Sequence, residues 1–169
     1  KTYDGTTVAA TPQIAVSGLV GTETLSTTGS AQFDTPAIGR GKTVAITGVS
    51  LGDGTNGGLA ANYTIDNTFS TKASINYPDI SKTPLNLSNI QLAAVTPAMM
   101  ATLTPAQLAS LSNAQIRTLT LNQLGGLSSR QLAMLTLDQY DAMNDDQIVF
   151  LTSDAKDKAT NNSSVMRSS

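Results

Sequence analysis

The sequence predicts two fold classes segregated along one chain. A small mostly-β module, sandwich-like or β-grasp-like, is followed by an α-solenoid of short capped eight-residue helical units. Three observations predict this. The first half is rich in Thr, Gly, Val and Asn, and its short apolar runs are separated by turn residues. The pattern changes near Tyr77-Pro78. From Ser88 onward the same residue types return every eight positions. The implied organisation is a β module at residues 1–79, a linker at 80–87, the octads at 88–153 and a polar tail at 154–169.

Within the β module, QIAVSGLV (Gln13 to Val20) and KTVAITGVSL (Lys42 to Leu51) are the best strand candidates. TETLST, AQFDT, NYTID and KASINY are weaker ones. DGTNGG (Asp53 to Gly58) is a turn, because its glycines permit positive φ.

The octads pose a geometric problem. An α-helix turns about 100° per residue, so eight residues leave a net rotation of about 80°. A stripe with this period spirals around a straight helix and forms no face. The polar columns supply the answer. Position 1 is Ser88, Thr96, Thr104, Ser112, Thr120, Ser128, Thr136 and Asn144. Position 4 is Gln91, Gln107, Gln115, Gln123, Gln131, Gln139 and Gln147, with Met99 as the exception. Ser or Thr followed three residues later by Gln is a capping box. Each octad therefore starts its own helix. The pairs Thr104/Gln107, Ser112/Gln115, Thr120/Gln123 and Ser128/Gln131 are the candidate structural caps, and Pro97 and Pro105 fall at the first helical position. Positions 5 and 8 hold Leu, Ile, Val, Met or Tyr and share one face of each piece. So short a helix is unstable alone and must stack on its neighbours, which is the logic of a solenoid. Tyr140 is expected in the core with its hydroxyl at the rim.

Composition narrows the chemistry. The 169 residues contain no Cys, His or Trp. Thiol chemistry, disulfides, the commonest general base and the commonest metal ligands are absent with them. No catalytic constellation is recognisable, and no enzyme is expected. A net charge of −2 argues against nucleic acid as partner, and no apolar run approaches a membrane span. The chain starts at Lys1 without a signal-like segment, so it reads as a piece of something longer.

Asp53, Asn56 and Asp66 are candidate Ca²⁺ donors, since DGTNGG is an oxygen-rich loop. The spacing lacks the Glu of an EF-hand, and a plain Gly/Asn turn explains the same residues, so no cofactor is expected. Asn62 and Asn86 stand in N-x-S/T triplets and are candidate glycosylation acceptors, as are Asn161 and Asn162. In a chain this rich in Asn, Ser and Thr, such triplets also arise by chance.

The opening KTYDGTT (Lys1 to Thr7) resembles the start of the YDG-type domain. VSGLVGTETLSTTGSAQFDTPAIGRGKTVAITGVSL (Val16 to Leu51) resembles its central strands, and DGTNGGLAANYTI (Asp53 to Ile65) its closing segment. The resemblance runs over residues 1–78; STKASINYPD departs from the usual ending. Such domains recur in large bacterial exoproteins of the filamentous-haemagglutinin-like, two-partner-secretion type. The resemblance implies a structural or adhesive segment at the cell surface or in the extracellular matrix: a stalk, a spacer or a fibre subunit. Its partners would be neighbouring modules, further copies in an oligomer or biofilm filament, or a host or glycan ligand. The rival readings are a carbohydrate- or receptor-binding module, an enzyme, and a toxin-delivery exoprotein. The octads resemble Leu/Gln repeats of large bacterial surface proteins, with no specific family role.

Overall fold

A computed structural model describes residues 1–65 and 69–153. The chain divides into two compact units at Tyr77/Pro78. The first holds a three-stranded antiparallel sheet, and the second a run of short helices.

The sheet has strand order β1-β2-β3, with β1 at Leu25–Phe33, β2 at Gly39–Asp53 and β3 at Phe69–Ile75. β1 pairs with β2 from Leu25↔Asp53 to Phe33↔Val44, and β2 with β3 from Gly39↔Ile75 to Ile46↔Phe69. The register slips once in each ladder, between Thr28 and Ser30 and between Gly39 and Lys42. Gly48 and Gly41, both at φ 62°, sit at those slips. A bulge residue in the left-handed region favours glycine, and the bulges bend the 15-residue β2. Ala31, Phe33, Val44 and Ile75 form the buried core on one face.

A strap made of residues 1–9 holds this unit together. The Lys1 carbonyl accepts from Asn76 N (2.8 Å), and Tyr3 N donates to Asn76 O (2.9 Å). Farther on, Phe33 N donates to Thr7 O (2.8 Å) and Ala9 N to Ala31 O (3.0 Å). The strap thus pairs first beside β3 and then beside β1, the two edge strands of the sheet.

Two strand expectations fail. Residues 13–20 carry alternating apolar side chains but make no ladder. Ile14 instead packs against Gly29, its Cδ1 lying 3.2 Å from where a Cβ would stand, and its carbonyl accepts from Thr27 Oγ1 (3.2 Å). Alternation reports a half-buried extended chain whether or not a partner strand lies beside it. The NYTID segment likewise forms no strand over its described residues: Ala60–Asn62 is a 3₁₀ turn. TETLST and AQFDT merge largely into the single strand β1.

The helices of the second unit are α1 (Asn89–Ala93), α2 (Pro97–Met100), α3 (Pro105–Ala109), α4 (Asn113–Thr118), α5 (Leu121–Gly125), α6 (Ser129–Leu132) and α7 (Leu137–Asp141), with a further helical run from residue 145. Each has the position-1 hydroxyl as its N-cap. After four to six helical residues the chain turns extended at the next cap. The residues of positions 5 and 8 form one continuous core, including Leu92, Met100, Leu108, Ile116 and Leu124. Residues 80–87, expected as a linker, contribute to that core: Leu85 is buried, and its N–H donates to Ser110 Oγ (2.9 Å).

Candidate functional site

The glutamine column is the most regular chemical feature of the chain. In each capping box the Gln backbone N–H donates to the hydroxyl three residues earlier, and the Gln Oε1 accepts from that residue's N–H. For Thr104 and Gln107 these distances are 3.3 and 2.8 Å. For Ser112 and Gln115 they are 3.2 and 3.0 Å, for Thr120 and Gln123 3.2 and 2.9 Å, and for Ser128 and Gln131 3.2 and 2.8 Å. Asn144 serves equally well, its Oδ1 accepting from Gln147 N at 2.9 Å.

The amide NH₂ of the same side chain does something else. Gln123 Nε2 donates to Leu92 O and Val95 O, both at 2.8 Å, 31 and 28 residues earlier. Gln139 repeats this onto Leu108 O and Leu111 O, and Gln147 onto Ile116 O and Leu119 O. Gln131 reaches Met100 O and Leu103 O. The chain therefore returns upon itself so that each of these amides lies against carbonyls 28 to 31 residues earlier, in the octad four places back. Helices three apart also pack together: α1 on α4, α2 on α5, α4 on α7. Gln107 and Gln115 have no complete octad turn beneath them. They donate to Ile80 O, Lys82 O and Leu87 O in the segment before Ser88. The column is thus engaged throughout in holding backbone. It leaves no buried side-chain nitrogen or oxygen unpaired among the described residues.

The candidate cation donors are placed differently. Asp53 Oδ1 accepts from Ala60 N (2.8 Å), and Asn56 Nδ2 donates to Thr22 O (2.9 Å). Asn56 braces the DGTNGG loop against the lead-in to β1, and Asp53 ties its start to the 3₁₀ turn that follows it. Asn56 is left-handed at φ 57°. The loop closes so tightly on Thr24 that a Cβ at Gly54 or Gly58 would stand 2.0 Å from its carbonyl oxygen. Asp66 lies outside the described residues. Among those described, no three acidic side chains gather. Asn62 and Asn86 are both exposed, Asn62 ending the 3₁₀ turn; Asn161 and Asn162 lie outside the described residues.

Three arrangements carry no sequence motif of their own. Tyr63 donates to the Glu23 carboxylate and accepts from Val20 N (3.2 Å); the carboxylate beside it pushes the phenol pKa up. Lys1 Nζ binds Asp4 Oδ1 (2.7 Å), which also accepts from Thr6 N (2.9 Å), and these bonds hold the carboxyl down at about 2. The Asp–Thr half of this cluster is a local turn that the sequence could have shown. Above the core of the sheet lies a cleft of about 280 Å³, lined mainly by Ala9, Pro12, Phe33, Val44 and Ile46. It is assembled by the strap, so no local pattern announces it. Tyr140 is half-buried, and its hydroxyl donates to Leu132 O (2.7 Å). No described helix is long and apolar enough to cross a membrane.

Residues 1–72 match the family model of the YDG domain. This is the β unit almost entire, less than half of the chain. No curated protein and no solved structure matches the chain.

Proposed function

We propose that this chain is a structural or adhesive segment of a large secreted bacterial surface protein, acting as a stalk, spacer or fibre subunit. The observation that carries the reading is how the conspicuous polar side chains are used. Glutamines 107 to 147 and the loop residues Asp53 and Asn56 all bond backbone. The match of residues 1–72 to the YDG domain supports it, through the resemblance of such domains to modules of two-partner-secretion exoproteins. In this reading the helical unit is an α-solenoid, the β unit is a sandwich-like module closed by its strap, and neither uses a cofactor. Size-exclusion chromatography with multi-angle scattering, followed by negative-stain microscopy, tests it. A stable rod or ordered fibre is the expected outcome. A chain that turns over a small-molecule or peptide substrate would sink it.

A second reading, a receptor- or glycan-binding module, draws on the cleft above Phe33 and Val44. Its lining is mostly aliphatic with one aromatic ring, Lys1 and Thr71 being the exceptions, which suits an apolar group better than a sugar face. A glycan array probed with the intact chain should therefore stay blank.

A further inference from the structure

The two ends of the helical unit are not alike. At the first octads, residues 80–87 supply carbonyls to Gln107 and Gln115, and Leu85 is buried beneath the stack. At the last octads the side chains of position 5 emerge from cover. Leu92, Met100, Leu108, Ile116 and Leu124 are at most 1% exposed. Leu132 and Tyr140 are only half-buried, and Ile148 is 44% exposed. The break falls where the packing of helices three apart requires it. The fifth octad is the last to have an octad three places later above it. The carbonyls follow a rule one octad longer, since each Gln amide comes from the octad four places later. Position-8 carbonyls from Val95 to Leu119 each accept a Gln amide at 2.8 Å. Those of Leu127, Leu135 and Met143 accept none from the described residues.

We infer that this end is a docking surface for a segment of another polypeptide with the same octad chemistry. That segment carries Ser/Thr-x-x-Gln with apolar residues at positions 5 and 8, and it lays one more turn on Leu132, Tyr140 and Ile148. The interface is continuous with one the molecule already makes several times over. The occupant's chemistry is fixed by what each completed turn receives: a Gln amide on two carbonyls, and an apolar side chain over position 5. The octad pattern does not continue in the sequence from Thr152. A ninth octad would begin at Thr152 and put Ala155 where Gln stands and Lys156 at the apolar position 5. A second intact copy is a poor fit, because its own first turn is already covered by residues 80–87. The inference rests on the turn-on-turn packing and is independent of where the protein resides.

The test uses the full chain and a labelled peptide with the sequence of residues 104–135, four octads. Fluorescence anisotropy should show saturable binding. A peptide with its four glutamines changed to Ala should bind at least about tenfold more weakly. Ile148→Lys in the chain should abolish binding, and Ile90→Lys at the covered end should leave it unchanged, both variants keeping the parent circular dichroism. Absence of saturable binding overturns the proposal, as does binding indifferent to Ile148→Lys or to the loss of the peptide's glutamines. Concentration-dependent self-association of the chain alone, lost in Ile148→Lys, would assign the surface to a second copy instead.

Discussion

Gln123 and Asn56 both use a side-chain amide to hold backbone, yet they belong to different kinds of architecture. Gln123 makes bonds that Gln131, Gln139 and Gln147 repeat at the same sequence separations. Asn56 donates its side-chain amide to Thr22 O, and no other described residue of the β unit copies that bond. The helical unit is held by one rule applied many times. The β unit is held by single events: a strap at the edges, two glycine bulges, a loop closed on Thr24. A rule tolerates local exceptions where its partner is missing, whereas a single event has no substitute nearby.

The largest test of that contrast is in the two cores. Leu108→Ala should cost about 2–5 kcal/mol and Phe33→Ala about 3–5 kcal/mol. Hydrogen exchange should show each loss confined to its own unit. In Leu108→Ala it should spread to the octads stacked above and below; in Phe33→Ala it should release the whole sheet. Spread across Tyr77/Pro78 would break the comparison.

Next in size is Gln123→Leu. It removes the glutamine half of a capping box and leaves the Val95 carbonyl and the Thr120 N–H without these partners, while Leu92 O keeps its bond from Val95 N, in a side-chain site that is 3% exposed. The expected loss is about 2–4 kcal/mol, from roughly 1 for the cap and 1–3 for stranded polar groups. Gln91→Leu should cost only about 1 kcal/mol, since Gln91 is half-buried and bonds its cap alone. Urea titration separates the two. Equal losses would mean that the amide bonds to the turn below carry no weight.

A still smaller effect is expected for Met99→Gln. Met99 stands where the column has its exception, in the first turn, with no octad turn beneath to accept an amide. The substitution adds half a capping box and removes a partly buried thioether, so the melting temperature should barely move.

The smallest effect concerns acid. Asp4 is held down to about 2 by Lys1 and Thr6, and Asp34 is lowered by Lys42, which lies 3.0 Å away. A carboxyl with a depressed folded value stabilises above its unfolded value, and that contribution is lost as pH falls through the folded one. The β unit should therefore weaken between about pH 4 and pH 2. Both groups are exposed, so the change is slight, and salt should shrink it. Asp4→Asn should flatten this part of the acid titration; an unchanged curve would remove Asp4 from the account.

The same contrast decides how much could be read beforehand. Half of each glutamine's work was legible, because Ser/Thr-x-x-Gln is contained in four residues. The other half, an amide to a carbonyl 28 residues earlier, appears in no single octad. It could be reached only by asking what stacking neighbours would need. The position of Met99 becomes intelligible once the lower turn is known to be missing. In the β unit, β2 and the DGTNGG turn were legible from β-branched residues and glycines. Residues 13–20 were misread, because half-burial by packing on Gly29 produces the same alternation as half-burial in a ladder. The strap was invisible, since its bonds join residues as far apart as Lys1 and Asn76.

Each glutamine amide from Gln123 on ties to the octad four places earlier, while helices three places apart pack together, so one return of the chain takes between three and four octads. Successive turns therefore lie like staggered courses of brick, each unit touching more than one unit below. A wall built so has no straight vertical seam along which it can part. Each glutamine from Gln123 to Gln147 is a tie across a joint, and a crack must cut helices as well as ties.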